Sequence, residues 1–146
     1  MIQISMPEMA MTVDQMTEIR VNSLSTLGLA HVGDAVYELL VRGMLASQGP
    51  RDIHTLHKET VSRVRAEAQA KAFRLIEPYL SEEEMAVYKR GRNTRVHGIP
   101  PHASPVEYHS ATGMETLFGW LYLLGRSQRL RELFGIIAGE KNNGAG

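Results

Sequence analysis

The sequence predicts an all-α protein, and three observations predict it. Apolar residues recur at three- and four-residue spacing along most of the chain, the period of a helix with one buried face. Ser and Asp stand ahead of these stretches and Gly or Pro follows them, which is how helices start and stop. No stretch alternates apolar with polar residues for long enough to make a half-buried strand, and no internal repeat is present.

Each element follows in order. Residues 1–22 are an N-terminal segment expected to be partly helical, in which Met6, Met9, Met11 and Met16 suit packing against the core or a second copy better than holding a cofactor. It carries Glu8, Asp14 and Glu18 and no basic stretch ahead of an apolar block, so it does not read as a signal peptide. The main domain is expected over 23–139. Ser23 or Ser25 caps a long central helix through about Ser47, where "SQGPRD" breaks it. From Asp52, helical spacing runs through Val61, Val64, Ala68, Ala72, Leu75 and Ile76 to Pro78, as one helix or two in tandem. Ser81 with Glu84 makes a capping-box pattern that opens "EEEMAVYKRGRN", which Gly91 or Asn93 ends. "TRVHGIPPHASPVE", residues 94–107, holds Gly98, Pro100, Pro101 and Pro105 and is expected to be an irregular loop, long for a small helical domain and a common setting for function. Two helices close the domain, one from about Tyr108 to Leu124 and one capped by Ser127 and reaching about Gly139, with 140–146 a flexible tail.

Composition narrows the setting. The 146 residues, 43% hydrophobic, suit one domain with one core. Cysteine is absent, which rules out disulfides and thiolate metal sites and agrees with the cytoplasm. The longest strongly apolar run, Leu117 to Gly125, falls well short of the ~20 residues of a membrane span. Sixteen basic and sixteen acidic side chains cancel, so no overall field announces a nucleic acid. Cations do cluster locally, as Lys89, Arg90, Arg92 and Arg95 in "KRGRNTR" and as Arg126, Arg129 and Arg131 in "GRSQRLR". Each cluster is either a solvated helix end or a local site for a polyanion.

Two acids stand apart. Asp34 lies in "GLAHVGDAVYELLV", and Glu115 is the only charge between Glu107 and Arg126. An ionised carboxylate among apolar residues costs several kcal/mol unless compensated, here by a partner arginine, a backbone cap or a metal. Gly33, Gly113 and Gly119 remove bulk beside the two acids, so their helices are expected to approach closely and bring the carboxylates together. Oxygen ligands completed by water suit a hard ion such as Mg²⁺ better than zinc.

"VGDAVYELLVR" followed by "METLFGWLYL" resembles the catalytic domain of the ribonuclease III superfamily, with its Gly-Asp pair and its later Glu-x-x-x-Gly pattern. The minimal branch, Mini-ribonuclease III, is the nearest match, from about Leu24 to Gly139 and including "KRGRN". The resemblance implies a ribonuclease III-like helical endonuclease domain without an appended double-stranded RNA-binding domain. It further implies a homodimer that hydrolyses double-stranded RNA with Mg²⁺, leaves a 5′-phosphate and a 3′-hydroxyl, and acts in maturation of the large-subunit (23S) ribosomal RNA precursor. Asp34 and Glu115 are then both catalytic residues and metal ligands. The wider superfamily has further acids where this chain has Leu27, Ala30 and Thr112, and the minimal branch shares the Thr. With fewer protein ligands, water and phosphate oxygens must supply more of the coordination.

Lys89, Arg90, Arg92 and Arg95 are the candidate RNA-binding residues, at the mouth of a loop that three prolines stiffen. Glu38 and Thr112 are secondary candidates; Glu38 either supports the metal or pairs with Arg42 four residues on. His54 and His57 share a helix face but lack a third ligand, and His31 and His109 lie near the two acids with no role assigned. Trp120 and Tyr122 are expected in the core or a dimer contact. The competing reading is a non-catalytic helical module that docks on RNA or a ribosomal particle. A protein-interaction domain without RNA would leave both isolated acids unexplained.

Overall fold

A computed structural model describes residues 16–144. Seven α-helices fill the described residues, which contain no strand: α1 Glu18–Asn22, α2 Thr26–Ser47, α3 Ile53–Val64, α4 Ala66–Ile76, α5 Glu82–Arg92, α6 Pro105–Leu123 and α7 Ser127–Gly144, with a 3₁₀ turn at Glu77–Tyr79. Met6, Met9 and Met11 lie outside the described residues; Met16 packs against the core, and its backbone N–H donates to the Leu123 carbonyl at 3.0 Å.

Local chemistry starts the helices where the sequence indicates. Ser25, not Ser23, caps α2 by accepting from the Gly28 N–H, and Asp52 caps α3 by accepting from Thr55. The expected tandem helix is two: Arg65, extended at φ −68° and ψ 158°, is the single residue between them, closing α3 and opening α4. Ser81 and Glu84 form the complete capping box of α5, and Asn93 follows its last turn. Two boundaries differ from expectation. α6 begins at Pro105, three residues ahead of Tyr108, because Ser104 caps it and proline is well placed at the first helical position, where no N–H is needed. The irregular segment therefore covers 93–104. Ser127 is the first residue of α7 and not its cap, and that helix extends past Gly139 to Gly144, into the segment expected as a tail.

α6 is the central element and packs against α2, α4, α5 and α7. Met114, Leu117, Phe118, Trp120 and Leu121 of α6 are buried with Leu29, Tyr37, Leu40, Val41 and Leu45 of α2 and with Leu130, Leu133 and Phe134 of α7. Each such large side chain contributes about 1.5–3 kcal/mol of burial. Tyr37 sets its ring edge-on to Phe118 and Phe134 at centroid distances of 5.3 and 5.9 Å. α3 is more loosely held: it packs on α2 and α4, and Thr60 is its one fully buried residue.

The helices cross closely through glycine. A Cβ on Gly33 of α2 would stand 1.6 Å from the Glu115 carbonyl oxygen of α6, and one on Gly119 would stand 2.0 Å from the Leu29 carbonyl oxygen. The α2 and α6 backbones are thus in contact where the two isolated acids sit. Gly113, expected at the same crossing, instead faces Tyr88 of α5, whose backbone oxygen would lie 2.7 Å from its Cβ.

Two of the three arginines of the second basic cluster are spent on the fold, while Arg131 donates to Gln128 at 2.9 Å and pairs with no acid among the described residues. Arg126 pairs with Glu18 and Glu83 and lays its guanidinium 4.7 Å from the Trp120 ring centroid. Arg129 pairs with Glu132 and with buried Glu84, at 3.1 and 2.8 Å. Burial pushes the Glu84 carboxyl up, but the Arg129 contacts and the Ser81 hydrogen bonds outweigh it and hold the carboxyl below its usual range.

Candidate active site

Asp34 is carried on α2 and Glu115 on α6, directly at the glycine crossing. The carboxyl groups meet, with Asp34 acting on Glu115 both through its charge and through a side-chain hydrogen bond. Asp34 is exposed, which corrects the expectation, drawn from its apolar sequence neighbours, of a carboxylate enclosed among apolar residues. Its apolar neighbours divide between two sides of the helix: Val36, Tyr37 and Leu40 enter the core, while Leu27 and Leu39 stay 45% and 51% exposed. Composition alone does not tell which apolar residues are left outside. Glu115 is half-buried, in a stretch of α6 whose other residues from Ala111 to Trp120 are buried.

Neither acid forms an ion pair with a lysine or arginine among the described residues. Burial first, then the charge and hydrogen bond of Asp34, push the Glu115 carboxyl up to about 8, and the Gln69 amide pulls it back. The two groups resist carrying full negative charge together unless a cation joins them. This sets the sign of a pH effect. A group that holds its proton more tightly when folded contributes stability below its unfolded pKa and loses it as pH rises through the folded value. In EDTA, unfolding free energy is therefore expected to fall between pH 5 and 8.5 by about 2 kcal/mol more in the parent than in Glu115→Gln, after discounting for partial exposure. Urea titrations across that range check it; parallel profiles would refute the shift.

The secondary candidates are placed as follows. Glu38 pairs with Arg42 at 3.0 Å, the i,i+4 contact the spacing allows. Thr112 is buried, and its hydroxyl donates to the Tyr108 carbonyl at 3.2 Å, so it serves its own helix. His54 and His57 are exposed on α3, and His31 is exposed on α2. His109 is half-buried, with Nδ1 enclosed and unpartnered in the described structure. Trp120 is in the core and donates to Asn22 at 3.3 Å, and Tyr122 packs partly buried against it. Among the described residues no group of three His, Cys, Asp or Glu side chains is placed to hold a metal, so the crossing offers two carboxylates and no third such side chain.

Sequence reasoning missed Gln69. It is 2% exposed on α4, and its Nε2 donates to Glu115 Oε2 at 3.4 Å. A signal was present, since Gln69 occupies the apolar stripe that Ala72, Phe73 and Ile76 continue.

The first basic cluster lies at the end of α5. Lys89, Arg90 and Arg92 are in its last turn and Arg95 follows it, all exposed. Arg90 donates to Thr26 Oγ1 at 3.1 Å, and Arg92 lies 5.7 Å from the Tyr88 ring centroid. No carboxylate among the described residues pairs with any of the four.

The sequence profile of the Ribonuclease III domain matches residues 27–126, which include both acids and the α5 cations. The chain belongs to the ribonuclease III family. Within that family it is 40% identical over 125 residues to Mini-ribonuclease 3 of Clostridium tetani, covering 85% of this chain and 83% of the relative. It is 43% identical over 111 residues to Mini-ribonuclease 3 of Symbiobacterium thermophilum, covering 76% and 85%. The crystal structure of a Fusobacterium nucleatum protein superposes with a TM-score of 0.74 at 30% identity, over 86% of this chain and 99% of that one. The fold is thus the all-α fold of a ribonuclease III-family endoribonuclease, and no described helix is long and apolar enough to cross a membrane.

Proposed function

We propose that this ribonuclease III-family protein hydrolyses double-stranded RNA with Mg²⁺ at Asp34 and Glu115, as a cytoplasmic homodimer acting on precursor of the large-subunit (23S) ribosomal RNA. The observation that carries the reading is the meeting of two carboxylates from α2 and α6 with no lysine or arginine paired to either among the described residues. Such a pair fits a hard divalent ion: it offers oxygen donors, and a cation offsets both the burial and the repulsion from Asp34 that raise the Glu115 pKa. When bound, Mg²⁺ supplies positive charge for the scissile phosphate and makes water more acidic for in-line attack, giving a 5′-phosphate and a 3′-hydroxyl.

The chain's own residues do the rest. Exposed Asp34 presents its carboxylate to the side from which a phosphate arrives, while half-buried Glu115 anchors the inner side. The glycine crossing fixes their spacing through backbone contact. Lys89, Arg90, Arg92 and Arg95 supply unpaired charge for phosphates along an A-form backbone, which is recognised by shape and phosphate more than by base edges. Ile19, Leu24 and Leu27, left 84%, 37% and 45% exposed around α1 and the start of α2, favour a second copy, and a symmetric pair presents one acidic site to each strand. Contact with a ribosomal protein or particle would bring the enzyme to its precursor.

The decisive experiment incubates the purified protein with a labelled RNA duplex and with the matching single strand, in Mg²⁺ and in EDTA, with its mass followed by light scattering. Duplex cleavage only in Mg²⁺ by a dimer is expected. Duplex binding without cleavage would leave the non-catalytic module as the reading. For the cations, Arg92→Ala and Arg95→Ala are each expected to weaken duplex binding and to make log affinity against log salt shallower by about one unit per lost phosphate contact. An unchanged slope in both, with melting temperature lowered, would make them structural.

A further inference from the structure

Gln69 sits on α4, 2% exposed, between two acceptors. Its Nε2 donates to the Val64 carbonyl at 2.8 Å and reaches Glu115 Oε2 at 3.4 Å. The Val64 carbonyl belongs to the last turn of α3, where the extended Arg65 ends the helix and leaves terminal carbonyls without intrahelical donors. Gln69 Oε1 is buried with no partner among the described residues. A buried amide that leaves its oxygen unsatisfied is under pressure to turn over, unless turning is worse. Here it is worse, because rotation would set Oε1 against the Val64 oxygen and the Glu115 carboxylate together. The short bond to the backbone fixes the amide, and the longer contact offers its second N–H to the carboxylate.

We propose that Gln69 is the positioning residue of the acidic site: locked by the α3 terminal carbonyl, its amide orients the Glu115 carboxylate for a divalent cation shared with Asp34. This rests on the reading of Asp34 and Glu115 as metal ligands. Gln69 touches neither the cation nor the phosphate; it acts through Glu115. Groups that hydrogen-bond a ligating carboxylate commonly contribute about 10–100-fold to metal affinity or activity.

The test measures Mn²⁺ binding to the RNA-free full chain by electron paramagnetic resonance, beside thermal unfolding in EDTA, for the parent, Gln69→Leu, Glu115→Gln and the double variant. Gln69→Met, close to the native volume, takes the place of Gln69→Leu if the latter does not fold. Loss of the amide is expected to weaken Mn²⁺ about tenfold in the parent and by less than about twofold once Glu115 is Gln. Its effect on melting temperature in EDTA, from the lost Val64 bond, should persist in both backgrounds. Mn²⁺ affinity within about twofold of the parent in a folded Gln69 variant overturns the proposal. Mn²⁺ binding that Glu115→Gln leaves intact overturns the metal reading itself, a distinct failure.

Discussion

Asp34→Asn and Glu115→Gln are each expected to lower single-turnover cleavage of duplex RNA by about 10³-fold or more, some 4 kcal/mol of barrier, while the helical fold persists. Both changes keep side-chain shape and remove charge. Asp34 is exposed, so its packing contribution is small, and in Glu115→Gln the repulsion from Asp34 disappears. Among the described residues the crossing has two carboxylates and no further acid grouped with them to substitute for either. Circular dichroism and single-turnover kinetics on the same preparations separate folding from chemistry. Near-normal cleavage by either variant at saturating Mg²⁺ would falsify the assignment.

Gly33→Ala is expected to destabilise the protein by about 3 kcal/mol or more, which lowers the melting temperature by roughly 10 °C. The new Cβ would lie 1.6 Å from the Glu115 carbonyl oxygen and 2.8 Å from the Gly119 nitrogen. These are backbone atoms, so no rotamer change relieves the clash, and α2 and α6 must separate. Gly43 of the same helix provides the control, because a Cβ there meets nothing within 4 Å. Gly43→Ala should stabilise by about 0.5–1 kcal/mol through helix propensity alone. Opposite signs at two glycines of one helix distinguish close approach from propensity; a neutral Gly33→Ala would mean that the crossing tolerates a methyl group.

The features legible in the sequence were local or doubly marked. Asp52 and the Ser81–Glu84 box act within one helical turn, so their spacing alone reveals them, whereas spacing left Ser23 and Ser25 both open as the α2 cap that Ser25 provides. The Asp34–Glu115 encounter spans two distant helices, but each acid is isolated in an apolar stretch beside a glycine, and the glycines marked the crossing. Features that depend on which face of a helix meets which neighbour were hidden. The exposure of Asp34 was one, since apolar Leu27 and Leu39 remain outside with it. The assignment of Gly113 to Tyr88 was another. The two arginine clusters look alike in sequence, yet Arg126 and Arg129 are paired by acids from α1 and α5 as well as α7, whereas the α5 cluster has no acidic partner among the described residues. Gln69 lies 46 residues from Glu115, and only the packing of α4 on α6 brings them together.

The joint at Arg65 also bears on how the molecule breathes. α3 is tied to the rest through α2 and α4, buries Thr60 as its one fully enclosed residue, and joins α4 through the single residue Arg65. Few buried contacts hold it, so its amides are expected to exchange through a local opening ahead of those at the α2–α6 crossing; equal protection of the two in hydrogen exchange would refute this. The carbonyl that holds the Gln69 amide lies at the end of that same helix. Any opening of α3 that releases this carbonyl would therefore also release the Gln69 amide, which ties the order of the Glu115 carboxylate to a helix that does not carry it.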